Sequence, residues 1–160
     1  MPIKFFKKVS FLAIVSVICI CSCKQLDVFE KNTRIPDHKW NSSFAATGTF
    51  NIVDTLSSYN IYIVLRHNDA YQYNNIWLNV GLQSPGDTMY TQKVDLSLGS
   101  DAAGWEGVGM GDIWEVRKLL NSKPSRFKRN GEFKFEIHQL MRDNPLPNVM
   151  NAGLRLEKAP

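Results

Sequence analysis

Two stretches of this chain alternate apolar and polar residues with a period of two, and that alternation argues for strands rather than helices. Tyr59, Ile61, Ile63 and Leu65 interleave with Asn60, Tyr62, Val64 and Arg66, and Ile76, Leu78, Val80 and Leu82 interleave with Trp77, Asn79, Gly81 and Gln83. In an extended chain successive side chains point to opposite faces, so each stretch lines one face with apolar groups. Val94, Leu96 and Leu98 continue the pattern, and the run from Ala152 to Glu157 reads as a closing strand with Leu154 and Leu156 on one face. Phe133, Phe135 and Ile137 face a core if Lys134, Glu136 and His138 face out. Between these runs, His67 to Asn75 reads as a loop and Pro85-Gly86-Asp87 as a turn, because proline presets one backbone angle and glycine accepts the other. Asn130-Gly131, flanked by Phe127 and Phe133, is a hairpin signal, since both residues tolerate positive φ. No segment of ten or more residues outside the N-terminal region has a 3.6-residue period, and the one helical candidate is a short turn from Trp114 to Leu120. About eight strands punctuated by turns predict an all-β domain, a single antiparallel β-sandwich whose jelly-roll-like or Ig-like topology stays open.

The N-terminal region follows different rules. Lys4, Lys7 and Lys8 precede an apolar run from Val9 to Ile20, which is shorter than the roughly twenty residues a spanning helix needs. Ser22 stands just before Cys23, and Ile20 lies three residues before it. Cys19 and Cys21 each follow an isoleucine, which a small cleavage-site pocket rejects. This arrangement predicts a lipoprotein signal peptide over residues 1–22, with Cys23 acylated as the first residue of the mature chain. Two or more acyl chains anchor a protein stably without a transmembrane helix. Lys24 follows the cysteine where an inner-membrane lipoprotein often has aspartate, which favours the outer membrane and leaves the leaflet open. The mature chain then has no free thiol, so neither a disulfide nor a cysteine nucleophile is expected. Taking Lys4, Lys7 and Lys8 off the formal charge of +4 leaves +1, which removes the argument for a nucleic-acid partner. Residues 23–42 read as a polar approach segment, with Leu26, Val28 and Phe29 near the lipid and Ile35-Pro36-Asp37 opposing a long helix. Residues 43–160 read as the sandwich domain.

Candidate sites are few. The glycine cluster from Gly104 to Gly111 lacks the Lys-Ser/Thr ending of a phosphate loop. Glycines among strands mark bulges or close approach, here of Trp105 or Trp114. Tyr71, Tyr73, Trp105 and Trp114 are candidate ligand or partner contacts for a glycan- or peptide-binding module. His38, His67 and His138 have no second ligand at helical spacing, so no metal site and no cofactor is expected. No serine lies in a G-x-S-x-G context. Asp101, Glu106 and Asp112 are the only carboxylates grouped closely enough to name for hydrolysis. Arg117, Lys118, Lys123, Arg126, Lys128 and Arg129 form the strongest basic run. It reads either as solvated loop and strand-edge protection or as contact with anionic lipid headgroups.

The order and spacing of several blocks resemble the gliding-motility lipoprotein GldH family of Bacteroidetes. They are Cys23 with Val28-Phe29-Glu30, Trp40, Tyr59-Asn60-Ile61-Tyr62-Ile63, Leu65-Arg66-His67-Asn68 and Tyr71-Gln72-Tyr73-Asn74-Asn75-Ile76-Trp77-Leu78. Gly104-Trp105-Glu106-Gly107, Gly109-Met110-Gly111-Asp112, Met141-Arg142-Asp143, Pro145-Leu146, Val149 and Gly153-Leu154-Arg155 complete them. The resemblance implies a non-enzymatic, lipid-anchored accessory subunit of the envelope, linked to gliding and type IX secretion. Its implied partners are membrane lipid and the other envelope lipoproteins and membrane proteins of that machinery. It supplies no catalytic residues, and only the acylated cysteine transfers, to Cys23.

Overall fold

The computed structural model describes residues 28–160; Cys23, the signal segment and the stretch to Asp27 lie outside the described residues. Thirteen strands, several of only two or three residues, and one 3-10 turn at Pro36–His38 make up the described chain. The first sheet holds five strands in the order β1 (Val28–Arg34), β13 (Val149–Lys158), β4 (Tyr59–Asn68), β10 (Ile113–Leu119) and β9 (Val108–Met110). The second holds four, in the order β3 (Ala46–Ile52), β11 (Gly131–Gln139), β5 (Asn75–Gln83) and β6 (Tyr90–Ser97). Two short ribbons complete the set: β2 (Lys39–Trp40) with β12 (Leu146–Pro147), and β7 (Gly99–Ser100) with β8 (Gly104–Trp105). Every pairing is antiparallel. The all-β sandwich expected from the alternation is therefore present, with more and shorter strands than the eight counted.

The core is the interdigitation of the two inner faces. Ile61, Ile63, Leu65, Val116, Leu154 and Leu156 of the five-stranded sheet bury against Phe50, Ile76, Leu78, Val80, Phe133, Phe135 and Ile137 of the other. As the alternation requires, Lys134, Glu136 and His138 stay on the outer side of β11. Phe50 stacks on Phe133 with ring centres 5.4 Å apart, and Phe127 meets both edge-on at 5.8 and 4.8 Å. The Pro85-Gly86-Asp87 turn joins β5 to β6, with the Asp87 N–H donating to the Ser84 carbonyl.

Three expectations need correction. Residues 28–40 do not space the domain from the lipid: β1 pairs with β13 along its whole length. Ile35 and Trp40 are buried, and the Trp40 indole N–H donates to the Phe44 carbonyl at 2.9 Å. The expected turn from Trp114 to Leu120 is instead strand β10 as far as Leu119, with Trp114 and Val116 turned inward and Glu115 and Arg117 outward, paired residue for residue with β4. Asn130-Gly131 closes no hairpin. Gly131, at φ 118°, starts β11, whose partners are β3 and β5 rather than the segment carrying Phe127.

Two ends of the sandwich can be told apart by register. Val28 aligns with Glu157 and Glu157 with Asn60, so β1 begins where β4 begins and β13 ends. The same end carries the loops 53–58 and 120–130 and the β5–β6 turn. The opposite end carries the 69–74 loop, the β2–β12 ribbon and the β7–β8 ribbon. There Gln139, fully buried, donates to the carbonyls of Trp40 and Asp143 and accepts from the Met141 N–H.

Candidate functional site

The outer face of the five-stranded sheet carries a chain of alternating charge. Arg155 bonds Glu157 through Nε at 2.6 Å and Glu30 through Nη1 at 2.8 Å. Arg117 lies 3.7 Å from Glu30 and 2.7 Å from Glu115, and Arg66 reaches Glu115 at 2.6 Å. The six side chains thus run across β13, β1, β10 and β4, and each has an opposite charge beside it. Burial alone would raise the Glu30 carboxyl. The hydrogen bonds from Arg155 and Asn32 and the Arg117 charge outweigh it and hold the carboxyl below its ordinary value of 4.5. The Glu30 hydrogen bond in turn holds Arg155 more firmly protonated.

Beside this chain lies a depression of about 480 Å³. Val108, Met110, Ile113 and Met150 supply apolar walls, and Arg66, Glu115 and Arg117 supply the charged side. Val108 and Met110 are 75% and 77% exposed, side by side on the short edge strand β9. Gly107 makes this edge possible. At φ +94° a side chain there is strained, and a Cβ would stand 2.1 Å from the Glu115 carbonyl oxygen. On the other side of β9, Gly109 lies against the Trp114 ring, where a Cβ would come within 2.9 Å. The glycine cluster therefore does what close-approach glycines do, and two of its glycines seat β9 on β10.

The aromatics named from sequence gather at the end away from the start of β1, but they do not form an open platform. Tyr71 is 3% exposed and its hydroxyl donates to the Asn75 carbonyl at 3.0 Å, so it is a core residue rather than a surface contact. Burial pushes its phenol well above the ordinary range. The Tyr73 hydroxyl donates to Asp143 Oδ2 at 2.8 Å, and that bond raises its phenol too. The half-buried Trp105 packs edge-on against His67 at 4.5 Å, and Trp114 donates its indole N–H to Asp69.

His67, assigned to a loop by sequence, lies instead within β4, one residue before the strand's end at Asn68, and is completely buried. Its Nδ1 faces the Asn68 carbonyl at 3.0 Å, which requires the proton on Nδ1. Nε2 is then a bare acceptor, buried with no partner among the described residues. Burial holds this imidazole below its ordinary 6.5, against the smaller opposing effects of Asn68 and Asp69.

The remaining candidates scatter. Asp101 accepts from the Asn74 side-chain amide, and Glu106 is engaged by Lys118 and by the Ser97 hydroxyl. Lys118 thereby holds the Glu106 carboxyl below its ordinary value. Asp112 sits in the exposed β9–β10 turn, and none of the three lines the groove. The basic run divides: Arg117 belongs to the charge chain, Lys118 to Glu106, and Arg129 to Asp87 and the Pro85 carbonyl. Lys123, Arg126 and Lys128 are exposed in the 120–130 loop, with no ion pair among the described residues. His38 lies in the 3-10 turn at φ 55°, and His138 contacts the Ser42 carbonyl at 3.3 Å. Among the described residues no group of His, Cys, Asp and Glu is arranged to hold a metal, and no helix is long and apolar enough to cross a membrane. Sequence reasoning missed Val108, Met110 and Met150. The available signal was a pair of large apolar residues set between glycines, where a packed strand would have buried them.

Fold and surface together define the class: an antiparallel β-sandwich that presents a shallow apolar groove beside paired charges. Within that class the chain belongs to the GldH lipoprotein family, whose profile matches residues 27–156. It is 26% identical over 156 residues to a protein of Christiangramia forsetii described as a gliding motility lipoprotein GldH homolog, covering 93% of this chain and 94% of that one. It is 25% identical over 158 residues to the gliding motility lipoprotein GldH of Flavobacterium johnsoniae, covering 94% and 97%. Among solved structures, the VP2 subviral particle of infectious bursal disease virus aligns at a TM-score of 0.34 and 13% identity, over 84% of this chain and 33% of that chain. The Gt strain of the same virus aligns at 0.36 over the same shares. The chain spans about a third of the length of those viral chains.

Proposed function

We propose that this chain is a lipid-anchored, non-enzymatic accessory subunit of the envelope machinery for surface gliding, associated with type IX secretion. Acylated Cys23 attaches it to the membrane, with the outer membrane favoured by Lys24. The groove beside β9 receives an apolar segment of another envelope protein of that machinery. The observation that carries this reading is the pair Val108 and Met110. They are three-quarters exposed on an edge strand, and the charges around them are already paired. Large apolar side chains in such a setting suit a protein interface, whose centre is depleted in free charge. Family membership and the relatives' names support the setting.

The test is a crosslinked pull-down of the native protein from membranes, beside a Val108→Glu/Met110→Glu variant and a Cys23→Ala variant. The native protein is expected to bring down envelope proteins. The double variant stays in the membrane and loses them, and Cys23→Ala loses membrane attachment and partners together. Equal recovery by the double variant, or no envelope protein with any form, contradicts the reading.

A further inference from the structure

The start of β1 limits how far one end of the sandwich can stand from Cys23. From Cys23 to Val28 the chain makes five Cα steps, which reach at most about 18 Å. The end carrying Val28 is therefore held close to any membrane that holds Cys23. That end is pinned to the 120–130 loop by aromatic contacts: Phe29 packs on Phe50 at 5.5 Å, and Phe50 on Phe127. Ser125 bridges to Tyr59, and Asn121 accepts from the Ile61 N–H and donates to the Tyr59 carbonyl.

The pinned loop presents Lys123, Arg126 and Lys128, all exposed and without an ion pair among the described residues. The neighbouring 53–58 loop presents Val53 and Leu56, each 81% exposed. Leu56 is not a mobile tip. Asp54 accepts from the Leu56 and Ser57 N–H groups and from the Ser57 hydroxyl, and it is paired with Lys158. The ordered loop thus holds an apolar side chain outward on the same end as the unpaired cations.

We propose that this end is a membrane-docking surface, in which Lys123, Arg126 and Lys128 contact anionic phospholipid headgroups while Val53 and Leu56 enter the interfacial layer. The proposal rests on the acylation of Cys23 and deepens it: the lipid attaches the domain, and the loops set its orientation. Basic side chains near an anionic surface are attracted within about a Debye length, roughly 8 Å at physiological salt, and the short tether lets this end approach the bilayer to within that distance. With the anchor end down, the β9 groove stands on the half of the domain away from the bilayer.

The experiment uses the acylated full-length protein reconstituted into vesicles, with an environment-sensitive fluorophore on Leu56→Cys or, at the opposite end, on Gln72→Cys. Cys23 is blocked by its acyl thioether, so each label is unique. In phosphatidylglycerol-containing vesicles carrying spin-labelled quencher lipids, the label at 56 is expected to be quenched and the label at 72 not. Replacing Lys123, Arg126 and Lys128 by glutamate, or raising the salt, is expected to abolish the quenching at 56 while circular dichroism stays unchanged. Flotation of the same vesicles reads the anchor separately. Floating protein with equal emission at both labels overturns the docking surface and leaves the anchor standing. Protein that neither floats nor is quenched overturns both.

Discussion

The loop end and the outer sheet face handle charge in opposite ways. In the 120–130 loop, Lys123, Arg126 and Lys128 extend into solvent with no ion pair among the described residues, near two outward-facing apolar tips. On the five-stranded sheet, Arg66, Arg117 and Arg155 are each matched to a carboxylate, and an apolar groove lies beside them. Unpaired cations suit a partner of diffuse negative charge, which demands no particular geometry. Charges already paired contribute little long-range attraction and leave recognition to the shape of the apolar surface. One small domain can therefore carry two surfaces that do not compete for the same partner.

The largest test of the comparison is mechanical. Phe127 is the pin that holds the basic loop against Phe50 and Phe133, and it is nearly fully buried. Phe127→Ala should cost about 3–5 kcal/mol in denaturant unfolding, as emptied aromatic core sites do. Amide exchange should rise first in the 120–130 loop and not around β9. A loss spread evenly over both regions would show that the loop is not a separately pinned unit.

A smaller effect concerns the aromatic end. Burial holds the His67 imidazole below its ordinary value in the folded protein, whereas the unfolded chain takes up a proton below about 6.5. The stability His67 contributes is thus fully present above 6.5 and is lost as the pH falls below it. Glu30, held below 4.5 on the sheet face, loses its contribution only at lower pH. Thermal melts between pH 7 and 5 should therefore fall in the native protein and flatten in His67→Leu. A decline of the same slope in the variant would place the sensitive group elsewhere.

Much of the inner face was legible because it is local. The alternation at Tyr59–Leu65 and Ile76–Leu82 and the inward set Phe133, Phe135 and Ile137 need only a period of two, and the β5–β6 turn needs only Pro85-Gly86. What failed was non-local. The segment 28–34 reads as a polar spacer because as an edge strand it keeps few apolar residues, and its partner β13 is more than a hundred residues away in the chain. The strand Ile113–Leu119 carries apolar side chains on both faces, Val116 toward the core and Ile113 and Leu119 outward, which blurs the period. Tyr71 and Tyr73 sit in a loop-like stretch, but Tyr71 turns into the core, so aromatic content could not distinguish a binding surface from a packed one. The basic run was legible as a run. Only the fold separates the three residues with no ion pair among the described residues from those already paired, and only register places β9 and Met150 at one groove.

Photo-crosslinking in living cells compares the two surfaces directly. A photoreactive amino acid at Val108, which is exposed enough that its replacement should shift stability by no more than about 0.5 kcal/mol, is set against the same residue at Leu56. The expected result is a protein adduct from position 108 and a lipid adduct from position 56. Protein adducts from 56 with none from 108, or lipid adducts from both, would contradict a domain that rests one end on the membrane and offers its β9 groove to a partner.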